Sequence, residues 1–229
     1  MPILVVVAHP DDEVLGCGAT AAALAARGVA VRTLFFSAGA AARNHRPGDS
    51  DLRADTLNAS RILGMGEPIL GDFPNIALNT VRHLDLVQFV ERAILETQAD
   101  FLFTHHPADL NDDHRHVSFA CQSAARLFQR RAGVAPLKGL YYMEVLSSTE
   151  WSFSGHSQPF QADTFFEVGD YLDRKLEALR AYRGVMRNFP HPRCEEIVRG
   201  QAAFRGGQSA MKYAEAFQTG YRSLDAAML

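Results

Sequence analysis

The stretch Ile3-Leu4-Val5-Val6-Val7, followed at once by Ala8-His9-Pro10-Asp11-Asp12-Glu13-Val14, passes from five apolar residues into one imidazole and three carboxylates. The apolar run reads as a buried first strand. In an open α/β sheet, ligands collect in the crevice beyond the carboxyl ends of the strands, so a polar cluster at this place is where chemistry is expected. His9 and Asp12 are of metal-ligand type and can point at one spot, with Asp11 beside them as a base. Taken alone, the loop also allows a plain structural reading in which Asp11 or Asp12 caps the following helix.

A second cluster lies about a hundred residues on. Phe101–Thr104 reads as another buried strand, and it runs into His105-His106-Pro107-Ala108-Asp109-Leu110-Asn111-Asp112-Asp113-His114-Arg115-His116. Four histidines and three aspartates in twelve residues repel or desolvate one another unless a cation organises them. His114 completes a His-Asp-His set with His9 and Asp12.

Between and beyond these motifs, strand-like and helix-like segments alternate. Val14–Arg27 reads as a helix closed by Gly28, Val29–Phe36 as a second strand, Ala38–Ser50 as a long loop and Asp51–Leu63 as a helix. Glu67–Gly71 is a third strand, and Leu84, Val87, Val90 and Ile94 mark a helix. Val117–Arg130 is helical and Gly139–Tyr142 extended. Ser147–Gln161 reads as a loop and Thr164–Val168 as a short strand. Tyr171–Arg187 reads as a helix, which Pro190-His191-Pro192 cannot continue. Ile197–Phe204 and Ala210–Phe217 are expected as two terminal helices. The expected architecture is α/β, a Rossmann-like, doubly wound, largely parallel sheet in a single domain over residues 1–229. Residues 145–229 form a less regular C-terminal portion that completes the rim of the site. Gly16-Cys17-Gly18 is only a fragment of a dinucleotide fingerprint, and three carboxylates beside it would repel a pyrophosphate, so a nicotinamide cofactor is not expected.

The chain of 229 residues carries a formal net charge of −3 and no long basic run, which argues against nucleic acid as a partner. Its three cysteines, Cys17, Cys121 and Cys194, are widely spaced and odd in number, as expected of reduced thiols in a cytoplasmic protein. No apolar stretch approaches the roughly 20 residues that span a bilayer.

The two motifs resemble the PIG-L or LmbE-like family of zinc-dependent N-deacetylases, marked by Ala-His-Pro-Asp-Asp-Glu near the N-terminus, here Ala8–Glu13, and a later Asp-His pair, here Asp113-His114. Lys175…Ala178-Leu179…Tyr182, Pro190-His191-Pro192-Arg193, Arg205-Gly206 and Ala214-Glu215-Ala216-Phe217 look like the tail of one subgroup, so the resemblance covers nearly the whole chain. It implies His9, Asp12 and His114 as ligands of Zn²⁺ or another divalent ion such as Fe²⁺, and Asp11 as general base. It further implies removal of an N-acetyl group from an N-acetylglucosamine-type sugar or conjugate, a small-molecule substrate, with a homo-oligomer allowed. Many members carry His-Pro-Asp-His at the later motif where this chain has Asn111-Asp112-Asp113-His114. Asn111 can donate a hydrogen bond to an oxyanion but cannot donate a proton, which leaves protonation of the amine to Asp11 or to a histidine such as His106.

Other residues carry paired readings. Arg53 matches an arginine near the sugar in the family, or forms an exposed helix ion pair. His106 and Asp109 are placed to hold His114 in one tautomer. Asp113 stands with Asp109 behind the metal ligands, or instead contacts Asp11 or caps a helix. His191 and Arg193 sit in a Pro-flanked turn, where the Arg fork recognises a phosphate or carboxylate or makes a structural ion pair. His45, His83, His116 and His156 are ordinary histidines. Two other function classes use similar ligands: a His₂-carboxylate Fe(II) oxygenase, which would consume oxygen, and a non-catalytic metal-stabilised binding protein, which would release no acetate.

Overall fold

A computed structural model describes residues 1–39, 49–153 and 158–223. Most of the expected 38–50 loop, with His45, and the position of His156 lie outside the described residues. The strands are β1 (Ile3–Val7), β2 (Val31–Phe35), β3 (Ile69–Leu70), β4 (Phe101–His105), β5 (Gly139–Met143), β6 (Thr164–Glu167) and β7 (Ala214–Arg222). The helices are α1 (Asp12–Ala26), α2 (Asp49–Leu63), α3 (His83–Thr97), α4 (Asp112–Ala124), α5 (Leu172–Ala181) and α6 (Glu195–Gln208).

The strands form one sheet in the order β3-β2-β1-β4-β5-β7-β6. The first five are parallel, and β7 runs antiparallel to β5 and β6. This is the doubly wound arrangement expected from the sequence. All five residues of β1 are buried because each face of the strand is covered. Leu4 and Val6 pack with Val90 of α3 and Val117 of α4, while Ile3, Val5 and Val7 pack with Cys17 and Ala21 of α1. Each such buried aliphatic side chain contributes roughly 1.5–3 kcal/mol. From β1 the chain winds outward through β2 and β3, then crosses back to β4 on the other side. The crevice between the carboxyl ends of β1 and β4 is thus the point where the winding reverses, and the loop after each strand opens into it.

Several boundaries differ from the sequence reading. Ala210–Phe217 is not a helix: Ala214–Phe217 begins the nine-residue strand β7. A Cβ at Gly206 would approach the Met211 carbonyl oxygen to 2.6 Å, so a glycine there lets the chain turn tightly out of α6 and back onto the sheet. The helix expected over 171–187 stops at Ala181, and α4 starts at Asp112, inside the second motif. Gly28, with φ of 80°, closes α1 as expected. Cys17, Cys121 and Cys194 are buried free thiols. Among the described residues, no helix is long and apolar enough to cross a membrane.

Helix α1 is broken at Cys17, where φ is −148° and ψ 20°. Two partners from far along the chain fill the break. Glu215 of β7 accepts from the backbone N–H of Ala19 (3.1 Å) and Thr20 (2.6 Å). The Lys175 ammonium donates to the Leu15 carbonyl (2.8 Å) and to Glu215 (2.7 Å). The buried pair thereby satisfies backbone groups that the kink frees.

Candidate active site

His9 leaves the end of β1 and His114 lies in the first turns of α4, and their rings face each other across the crevice at 5.5 Å between centroids. Asp12 lies between them: its Oδ2 is 3.4 Å from His9 Nδ1 and 3.2 Å from His114 Nε2, and accepts from the His9 backbone N–H at 2.9 Å. All three side chains are buried, and one ligand atom from each lies within 4.8 Å of the others.

Surrounding carboxylates set the ring tautomers. His9 Nε2 donates to Asp113 Oδ2 at 2.9 Å, which leaves Nδ1 with its lone pair toward Asp12. Asp113 is itself fixed by the backbone N–H groups of Ile76 (2.7 Å) and Leu78 (2.9 Å). It therefore stands behind a ligand, as one of the sequence readings had it, and the ligand it orients is His9. On the other side His114 Nδ1 lies 3.2 Å from Asp109 Oδ1, and Asp109 also accepts from the Ser148 hydroxyl and from Thr149 Oγ1 (2.7 Å). His114 Nε2 then has only the Asp12 carboxylate beside it, at 3.2 Å, and makes no well-aligned hydrogen bond among the described residues. Two imidazole lone pairs and a carboxylate aimed at one point, one of them otherwise unsatisfied, fit a divalent cation.

The electrostatics agree. Burial disfavours charge on His114, but the Asp12 and Asp109 carboxylates overcome it and raise its pKa to about 10. Burial likewise opposes ionisation of Asp12, yet His114 and His9 hold it well below the usual carboxylate range. For Asp109, His114 outweighs burial and brings its pKa to about 2. The carboxylates thus demand positive charge at this point of the crevice.

His105, the last residue of β4, was not singled out by the sequence. Its Nε2 accepts from the Ala8 backbone N–H at 2.9 Å, and its ring stacks on His114 at 3.7 Å. Burial and the neighbouring His114 lower its pKa to about 3, so it is a neutral platform beneath His114. With Nε2 already accepting, its Nδ1 carries the ring proton. The alternative grouping of His105, Asp109 and His114 accordingly lacks a free lone pair on His105.

Asp11 stands at the helix start but makes no side-chain cap. Its backbone is left-handed, with φ of 101°, a conformation that stores strain and re-aims the side chain. Neighbours on both sides hold it there. Its N–H donates to Glu13 Oε2 (3.1 Å), Glu13 Oε1 accepts from the Tyr182 hydroxyl (2.6 Å), and Arg193 reaches the Asp11 carboxylate at 3.3 Å. Arg193 also donates to Ser147 Oγ at 2.6 Å. Burial raises the Glu13 pKa to about 8, with Asp11 and Asp12 adding to the shift.

Asn111 caps α4, its Oδ1 accepting from the Asp113 N–H at 3.0 Å. His106 does not touch His114; it bonds Gln218 at 3.0 Å and accepts from Ala108 N–H at 3.2 Å. His191 accepts from the Arg193 N–H at 3.0 Å through Nδ1. Arg53 is exposed on α2, where the neighbouring Asp55 pairs instead with Arg183. Ser148 and Thr149, from the irregular stretch after β5, carry no motif of their own, whereas Tyr182, part of the tail pattern in the sequence, follows α5 and reaches Glu13.

Comparison with known proteins agrees with this geometry. Residues 4–125, just over half of the chain, match the family model described as PIG-L, GlcNAc-PI de-N-acetylase. The uncharacterized deacetylase YaiS of Escherichia coli (strain K12) is 31% identical over 139 residues, covering 57% of this chain and 71% of that protein. Two solved structures share the fold. One is the conserved protein TT1542 from Thermus thermophilus, with a TM-score of 0.80 at 24% identity, covering 98% of this chain and 96% of that one. The other is N,N'-diacetylchitobiose deacetylase from Pyrococcus horikoshii, with a TM-score of 0.77 at 18% identity, covering 100% and 88%. The buried His/Asp cluster at the mouth of a doubly wound sheet and the matching family model place the chain in the PIG-L family, as a metal-dependent hydrolase of the deacetylase type acting on N-acetyl-sugar substrates.

Proposed function

We propose that the protein is a zinc N-deacetylase that hydrolyses the acetamide of an N-acetylglucosamine-type sugar or conjugate, with His9, Asp12 and His114 as the metal ligands and Asp11 as general base. The observation that carries this reading is the convergence of His9 Nδ1, Asp12 Oδ2 and His114 Nε2, with both imidazoles oriented from behind by a carboxylate. When bound, the ion supplies an acidified water and a Lewis acid for the acyl oxygen.

The protein's own groups perform the proton transfers. Asp11, aimed by its left-handed backbone and held by Arg193, takes a proton from the attacking water. An amide anion is too poor a leaving group to depart unprotonated, so Asp11 returns that proton to the nitrogen. Asn111 has its Oδ1 committed to the α4 cap, which leaves its Nδ2 as a neutral donor to the developing oxyanion. Arg193 works through Asp11 here, not as an anion fork for substrate. The closing histidines His106 and His191 and the exposed Arg53 are proposed only as contacts to the outer part of the substrate.

Acetate release across free, phosphorylated, nucleotide-linked and oligomeric N-acetyl sugars tests the reading. Metal-dependent release from at least one of them is expected. A fully metallated protein that releases acetate from none would overturn it.

A further inference from the structure

Trp151 is the only tryptophan in the chain, and 46% of it is exposed. The turn that carries it is firmly held. The Glu150 carboxylate accepts from the N–H groups of Ser147 (2.5 Å) and Ser148 (3.2 Å), Val145 N–H donates to Thr149 Oγ1 (2.9 Å), and Ser152 Oγ donates to the Ala108 carbonyl (2.5 Å). The same turn sends Ser148 and Thr149 to Asp109 behind His114. On its other side the indole meets the His191 ring in a T-shaped contact, 6.1 Å between centroids and 72° between planes, and Arg193 of that second turn reaches Asp11. Trp151 therefore spans the rim between the wall that holds His114 and the wall that holds Asp11, and no described aromatic ring stacks against its face.

We propose that Trp151 is an aromatic platform for a second sugar ring, the part of the substrate that extends beyond the ring bearing the N-acetyl group. The proposal rests on the N-acetyl-sugar reading above. A pyranose presents a C–H face and a hydroxyl edge, so it needs one flat, pre-oriented ring bordered by polar groups. Trp151 is such a ring, with His191 in contact with it and the exposed Glu150 next to it in the chain. An alkyl chain is the competing occupant, since Phe153 (83% exposed) and Phe189 (66% exposed) flank the two turns. It would need a continuous apolar surface, whereas the His191 ring meets the indole and separates it from such a surface on that side.

Because Trp151 is the sole tryptophan, its fluorescence reports the platform without reference to catalysis. Metal-loaded protein is titrated with N-acetylglucosamine, its β-linked disaccharide and its octyl glycoside. The disaccharide should change the emission and bind about tenfold more tightly than the monosaccharide. Trp151→Ala should raise KM for the disaccharide about tenfold, leave kcat within about a factor of two and leave the monosaccharide unaffected, and Trp151→Phe should restore most of the loss. Equal losses on both sugars, no loss on either, or tighter Trp-dependent binding of the octyl glycoside than of the disaccharide would each overturn the platform. Absence of acetate release from every sugar would instead bring down the underlying activity, while the titration would still decide the platform.

Discussion

In the proposed mechanism Asn111 does two jobs with the two ends of one amide, the observed cap through Oδ1 and the proposed donation through Nδ2, and substitution can separate them. Asp at this position keeps an acceptor for the Asp113 N–H but removes the donor. Asn111→Asp should therefore fold with near-normal stability and lose about tenfold or more in kcat. Asn111→Ala should add a cap loss of about 1 kcal/mol to the same kinetic defect. Unchanged kcat in Asn111→Asp, measured by acetate release, would remove Asn111 from the reaction. Asp11→Asn is the companion test, because Asn tolerates left-handed backbone and preserves the shape of the turn. Its kcat should fall on the order of 10²-fold or more with metal content unchanged, and near-normal turnover would assign the base elsewhere. At this scale the two motifs were legible because they concentrate imidazoles and carboxylates at strand ends. Ser148 and Thr149 were not, since serine-rich loops carry no periodic signal and their partner Asp109 is 39 and 40 residues away. Asp113 was legible as a site residue but its target was not, because adjacency to His114 in the chain says nothing about reach to His9 on the opposite loop.

The break in α1 shows an element that needs distant residues to exist. Lys175 and Glu215 were visible only as parts of a familial tail; their purpose appears once α5 and β7 bring them to the kink at Cys17. Glu215→Ala strands a buried ammonium and two backbone N–H groups, so it should lower unfolding free energy by about 3–5 kcal/mol in urea denaturation. A loss below about 1 kcal/mol would mean the pair is no more than a surface ion pair. The helix expected over Ala210–Phe217 fails for a related reason. Ala, Met, Lys and Glu favour helix locally, and the segment becomes strand because β5 and β6 offer their edges on either side. The central strands carried no such ambiguity, since short apolar runs ending in polar loops suit buried parallel strands.

For the whole molecule, the winding order explains why residues a hundred positions apart share one centre: β1 and β4 are neighbours at the reversal of the sheet, and each delivers its loop to the same crevice. That much followed from the alternation of strands and helices. A rim from the C-terminal portion with Arg193 in it was expected, but the partners of Ser148, Tyr182 and Arg193 were not, because they depend on how the irregular part after β5 folds back. The proposed centre is one divalent ion held in this crevice by His9, Asp12 and His114. Metal content per chain, measured on zinc-loaded wild type, Asp11→Asn and His114→Ala after dialysis, tests it most directly. About one tightly held ion per chain is expected in the first two proteins and a steep loss in His114→Ala, because two remaining donors no longer match the charge and geometry the ion requires. Full occupancy in folded His114→Ala would contradict it.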